Sequence, residues 1–189
     1  MMPDMTIMAP KNKWELSDMM KFAVHCQGPV ALRYPRGEAY TGLEEFRAPI
    51  EAGKAEVIRE GSQIALLAVG NMVKIAEEVA DRLQERGVSA TLVNMRFVKP
   101  FDRDLLKKLA ENHPVFVTME ENVESGGFGQ QVLAFCGEAG LDVSVCIAAV
   151  PDCFIGHGSV DWQRKQTGLD ADSILERIDK LRERQENRK

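Results

Sequence analysis

No stretch of the 189-residue chain stays apolar for more than a few residues, whereas crossing a bilayer as a helix takes about 20. No membrane span is expected. Basic excess is lacking too: 24 Lys and Arg stand against 29 Asp and Glu, for a net charge of −5, the opposite of the cationic footprint that binding a nucleic-acid backbone needs. The four cysteines form no C-x-x-C pair and no metal-ligand spacing, so they read as reduced thiols, with neither a disulfide framework nor a structural zinc expected. The opening MMPDMTIMAP has neither the basic nor the apolar region of a secretory leader. Together these absences describe a cytoplasmic protein with no nucleic-acid or membrane partner. Aromatics are sparse at 6%, yet 44% of residues are hydrophobic, so a packed and mainly aliphatic core is within reach.

From about residue 54 apolar runs alternate with amphipathic ones, the order of strands and helices in a mostly parallel sheet. IALLAV at residues 64–69 reads as a strand covered on both faces. The helix after it repeats Met72, Ile75, Ala76, Val79, Ala80 and Leu83 on one face, and Gly87 is placed to close it. Further strands are expected at 90–94, 115–119 and 143–148, with helices capped by Asp102, spanning 128–138, and starting near Asp170. The polar end RERQENRK is expected to fray. Residues 55–59 lie only four residues ahead of Ile64, too close for a crossover, so this strand should form a hairpin and lie antiparallel at an edge.

The first fifty residues differ in kind. Two short strands, MTIMAP and PVALRY, flank one helix, too little to enclose a core. This segment should therefore pack on something else, and residues 37–53 read as a linker.

Several side chains could carry chemistry. Arg33 and Arg36 in RYPRG follow a strand at a turn, which suits either an anion clamp or an interdomain salt bridge. Arg96 lies just past the carboxyl end of a sheet strand, where ligands of open α/β sheets collect. The run Glu124 to Gly129 enters a helix and could offer backbone amides to an anion, though it fits no nucleotide motif. Glu120 and Glu121 are strand neighbours facing opposite ways, which favours capping or solvation over a paired acid and base. Cys153 and His157 share a turn-rich loop as a conceivable dyad without an orienting third group. His25 and His113 read as structural.

RYPRG, NMRFVKPFD, TMEENVESGGFG, PDCFIGHG and GLDADSIL, in this order and spacing, closely resemble the C-terminal third of the 1-deoxy-D-xylulose-5-phosphate synthase family, within the transketolase-like thiamine diphosphate enzymes. The resemblance runs from MTIMAP to about Leu181. It implies a transferase that condenses pyruvate with glyceraldehyde 3-phosphate, releases carbon dioxide and feeds isoprenoid and thiamine synthesis. It further implies a three-layer α/β/α terminal domain with a five-stranded mixed sheet whose first strand is antiparallel. The arginine opening RYPRG and the arginine of MRF hold the acceptor phosphate in that family, which assigns substrate binding to Arg33 and Arg96 here.

The departures carry as much weight. The family's GDG motif for diphosphate and magnesium is absent, and its aminopyrimidine-activating glutamate belongs to a region upstream of the matched part. The resemblance thus divides the chain into a remnant of the pyrimidine-binding middle domain (1–36), a linker (37–53) and a transketolase C-terminal domain (54–189). Thiamine diphosphate and magnesium are expected in the full-length enzyme and not on this chain, which should have no catalytic, cofactor or metal residues of its own and no activity alone. A homodimer, or a complex with the missing N-terminal domains, should cover the apolar face left by the remnant. The terminal half of another transketolase-like enzyme, or a non-catalytic module, are the alternatives.

Overall fold

The computed structural model describes residues 3–186. In chain order the elements are β1 (Thr6–Met8), α1 (Lys13–His25), β2 (Val30–Leu32), β3 (Glu56–Arg59), β4 (Ile64–Ala68), α2 (Met72–Glu85), β5 (Ala90–Asn94), β6 (Phe97–Lys99), α3 (Arg103–Ala110), β7 (Val115–Val123), α4 (Phe128–Glu138), β8 (Ser144–Val150), α5 (Val160–Thr167) and α6 (Ala171–Glu186).

The continuous apolar run becomes the central strand β4, buried along its whole length, as a strand with helices on both faces must be. Around it the five-stranded sheet runs β3-β5-β4-β7-β8, parallel throughout except for β3 at the edge. One face packs against α2 and α6 through Val73, Ala76, Leu83, Ile174 and Ile178. The other packs against α3 and α4 through Leu106, Phe128, Val132 and Phe135. This is the expected α/β/α sandwich.

Local chemistry fixes the element ends. Asp102 Oδ1 accepts from the Leu105 amide at 3.1 Å to cap α3. Gly87 takes φ +73° just beyond α2, a left-handed conformation in which glycine lacks the usual Cβ penalty.

The structure corrects one reading and adds to others. β3 is antiparallel and at the edge, but it forms no hairpin with β4: it pairs with β5, because both edges of β4 are occupied by β5 and β7. The four intervening residues pass over the start of β5, where the Gly61 amide donates to Thr91 Oγ1 and the Ser62 amide to Ser89 Oγ. β6 and α5 are elements that the sequence pattern did not announce. The polar end is helical where it is described, α6 continuing to Glu186; residues 187–189, the last of the end expected to fray, lie outside the described residues.

A second sheet, β2-β1-β6, joins the first residues to the rest: β1 pairs parallel with β2 and antiparallel with β6. Its apolar centre is small, with Met8, Met19 and Phe97 buried. What else holds it is ionic. Lys11 Nζ lies 2.6 Å from Glu56 Oε2 and 3.2 Å from Glu15 Oε1. Arg96 Nε lies 2.7 Å from Glu15 Oε1, and its Nη2 lies 3.0 Å from Glu56 Oε1. All four side chains are buried. Asn94 Nδ2 donates to both Glu15 oxygens, while Arg96 also donates to the carbonyls of Ala48 and Pro49. Burial alone would push Glu56 up, but hydrogen bonds from Lys11 and the Ala48 amide, with the charges of Arg96 and Lys11, outweigh it and hold its carboxyl below the usual range.

Removing one partner of such a network leaves an uncompensated buried charge. Glu15→Ala should therefore lower the unfolding free energy by about 3–5 kcal/mol in urea melts. Because the folded-state pKa of Glu56 is depressed, its contribution is present above the ordinary glutamate value of 4.5 and lost as pH falls below it. Wild-type stability should fall on acidification more steeply than that of Glu56→Gln.

Candidate functional site

β4 and β7 end side by side, and the chain leaving β2 crosses above them. Gly70, at φ +58°, turns β4 into α2 so closely beneath the first segment that a Cβ there would sit 3.2 Å from Ala9 Cβ. The space left is a cavity of about 100 Å3 bounded by Arg33, Tyr34, Gly70, Asn71 and Glu121. Arg33 enters from an exposed position, and its Nη2 donates to the Glu121 carbonyl. The β4–α2 turn borders the same cavity through Gly70 and Asn71, while the first amides of α2, Met72 and Val73, donate to the Val69 and Gly70 carbonyls. An anion entering the cavity meets the Arg33 guanidinium.

Glu121 anchors the far wall. Its Oε1 accepts from Arg164 Nε at 3.1 Å and Nη2 at 2.6 Å. Two more cavities open beside it, about 200 Å3 against α5 and about 670 Å3 between α5 and the segment following Pro35.

Arg96 is placed differently. Its side chain is 2% exposed, its φ is +51°, and its guanidinium contacts Glu15, Glu56 and two carbonyls. The backbones of Arg33 and Arg96 both meet the end of β1, through Met8 and Ala9 respectively. Their guanidinium groups share no partner, so the two arginines proposed from the sequence are not brought together on one cavity. Arg36 lines the cavity of about 670 Å3.

The glycine-rich entry to α4 does receive an anion, but from its own chain. Glu120 Oε2 accepts from the Phe128 amide at 2.9 Å and Oε1 from the Gly129 amide at 2.8 Å. Burial pushes the Glu120 carboxyl up, against the pull of those two amides and of the Arg33 charge. A Cβ on Gly127 would lie 2.7 and 2.9 Å from the same oxygens, so glycine is required there. The structure thereby settles Glu120 as a cap and Glu121 as an ion-pair partner. Cys153 and His157 are both exposed, and no hydrogen bond joins them. His113 is structural, its Nδ1 bonded to the Leu109 carbonyl and its Nε2 to Thr91 Oγ1. Among the described residues no group of three or more His, Cys, Asp or Glu side chains could hold a metal ion.

Sequence reasoning missed Lys11, Glu15, Glu56 and Asn94. The spacing of Lys11 and Glu15 marks a helical pair, but Glu56 and Asn94 reach them only through the fold.

The architecture and cavity define the class: an α/β/α domain with a recess bearing Arg33 at the carboxyl ends of its strands. The chain belongs to the transketolase C-terminal domain family, which matches residues 53–174. It is 42% identical over 178 residues to the 1-deoxy-D-xylulose-5-phosphate synthase of Lachnoclostridium phytofermentans, covering 94% of this chain and 28% of the relative. Against the Brevibacillus brevis enzyme of the same name it is 44% identical over 182 residues, covering 95% of this chain and 29% of that one. The chain thus spans under a third of the length of these relatives. A solved structure described as a split-gene transketolase, an inactive β4 tetramer, superposes with TM-score 0.88 at 28% identity, covering 95% of this chain and 58% of that one. Campylobacter jejuni transketolase superposes with TM-score 0.68 at 16% identity, over 94% of this chain and 26% of that one, which speaks to the fold alone.

Glu120→Ala strips the acceptor from two buried amides and should cost about 1–3 kcal/mol in thermal or urea unfolding. Loss of α4 amide protection in hydrogen exchange should accompany it.

Proposed function

We propose that this chain is the terminal part of a 1-deoxy-D-xylulose-5-phosphate synthase, a transferase that in the cytoplasm joins pyruvate to glyceraldehyde 3-phosphate with loss of carbon dioxide. The observation that carries the reading is Arg33 at the mouth of an anion-sized cavity, in a chain about 40% identical to enzymes of that name across almost its whole length. Arg33 is our ligand for the acceptor phosphate. Arg96, locked to Glu15 and Glu56, acts as a positioning residue, seating α1 and residues 48–49 so that the cavity keeps its shape.

Thiamine diphosphate and magnesium do not fit the residues of this chain. No GDG motif is present, and among the described residues there is no acidic or histidine cluster for the ion. In the complete enzyme they belong to a companion region, where the cofactor supplies the electron sink for decarboxylation. This chain alone is therefore inactive, and its work is to hold the phosphorylated aldehyde.

The test is product formation from pyruvate and glyceraldehyde 3-phosphate with thiamine diphosphate and magnesium, using this chain alone and then mixed with a polypeptide carrying the cofactor domains. Activity only in the mixture is expected, and activity in neither would end the reading. In the active mixture Arg33→Ala should raise the KM for the aldehyde by about tenfold to a hundredfold, the effect of one lost charged hydrogen bond, with a smaller change for pyruvate. Arg96→Ala should lower stability along with acceptor affinity; a KM effect with unchanged unfolding would make Arg96 a direct ligand instead.

Without a companion the chain self-associates in our reading. Met20 and Val24 form an exposed apolar pair on α1, and the similar split-gene chain is itself described as a tetramer. Light scattering should give a mass of at least two chains, and a monodisperse monomer at high concentration would contradict it.

A further inference from the structure

Arg33 stands beside two carboxylates and pairs with neither. Among the described residues Glu121 is the one carboxylate bordering the cavity of about 100 Å3 on which Arg33 opens. Glu120, the residue before it, is close enough for the Arg33 charge to act on its carboxyl. A guanidinium next to a free carboxylate forms a bidentate ion pair, and an arginine so engaged has little charge left for an incoming anion. Arg33 nevertheless donates only to the Glu121 main-chain carbonyl.

The shape of β7 explains why. Its ladder with β8 pairs Met119 with Ala148 and Val123 with Val150, so Glu120, Glu121 and Asn122 stand against Ala149 alone. A bulge of this kind re-aims side chains, and here it sends the two carboxylates to different owners. Glu120 goes to the Phe128 and Gly129 amides at the head of α4. Glu121 goes to α5, where its Oε1 accepts from both Nε and Nη2 of Arg164. The Arg164 side chain is 16% exposed, so solvent screens this pair less than a surface one. Its main-chain carbonyl accepts from the Leu169 amide at 2.8 Å and from Thr167 Oγ1 at 3.1 Å, and Leu169 is buried in the core, which ties this arginine to the sandwich. Asp161 Oδ1 lies 3.8 Å from Arg164 Nη1 on a side chain that is 96% exposed, too distant and too hydrated to draw Arg164 away from Glu121.

We propose that Arg164 is a positioning residue for anion binding: by holding the Glu121 carboxylate it keeps Arg33 unpaired, so that Arg33 retains its charge for a phosphorylated ligand in the cavity. The inference rests on the functional reading above, in which Arg33 takes the acceptor phosphate. It adds that two arginines divide one glutamate, the side chain going to Arg164 and the main chain to Arg33. The carbonyl orients the Arg33 guanidinium without neutralising it. Arg164 itself touches no ligand. Without it the Glu121 carboxylate turns to Arg33, and an entering anion meets a closed ion pair in place of a free cation.

The test titrates inorganic phosphate into the whole chain and follows the amide resonances of Gly70 and Asn71, which border the cavity. Arg33→Ala should abolish the response at those amides. Arg164→Gln should weaken phosphate binding by about tenfold, the scale of one uncompensated charge beside a partly hydrated site. Arg164→Lys keeps a cation beside Glu121 and should stay within about threefold of wild type. The double variant, Glu121→Gln with Arg164→Gln, should recover wild-type affinity, whereas an Arg164 that only supported the fold would leave it as weak as Arg164→Gln or weaker. Undiminished binding by Arg164→Gln, or no recovery in the double variant, overturns the inference and leaves Arg33 as the phosphate ligand. Glu121→Gln alone should bind at least as tightly as wild type, and weaker binding overturns the inference even where Arg164→Gln does not fold. A response unchanged in Arg33→Ala, or none in the wild-type chain, overturns the functional reading of the cavity and the inference with it.

Discussion

Glu15 and Glu56 face Lys11 and Arg96 at the one place where the first segment, residues 48–49, β3 and the end of β5 converge. Four charges removed from water take back through desolvation much of what their attraction supplies, so the network is not chiefly a source of stability. Its effect is geometric. Each carboxylate must find both cations, and Asn94 must point at Glu15, so α1 has one acceptable placement relative to the large sheet. The apolar centre beneath it, around Met8, Met19 and Phe97, is too small to impose that placement by itself.

The site depends on this constraint. The recess at Arg33 has one wall from the first segment and another from the β4–α2 turn and β7, so any slip between them would close or open it. The buried network fixes one side of β1's end and the Arg33 contact with Glu121 ties the other. Arg96 carries part of that load from a left-handed backbone conformation, a strain of about 1–3 kcal/mol that its surroundings must offset. Under the proposed function, holding an acceptor phosphate in a fixed pose is the task that this rigidity would serve.

Much of the terminal domain was legible because its signals are local. The continuous apolar run at β4, the 3.6-residue repeat of α2, the Asp102 cap and Gly87 each declare an element within a few residues. β3 was read correctly as an antiparallel edge from the shortness of its connection, yet assigned the wrong neighbour, because a short link does not reveal that both edges of β4 are already taken. α5 escaped notice because its sequence, VDWQRKQT, carries no apolar stripe; its Ser159 cap, accepting from the Trp162 amide, was the available clue.

The sequence by itself determined the α/β/α sandwich, the family and the candidacy of Arg33, since periodicity, caps and contiguous motifs are written in neighbouring residues. Only the tertiary structure decided that Arg96 turns inward to Glu15 and Glu56 while Arg33 opens on a cavity, and that Glu120 fills the amide end of α4. Those outcomes depend on which charges meet across 81, 40 and 8 positions of chain, and a buried charge goes wherever the fold offers it a partner.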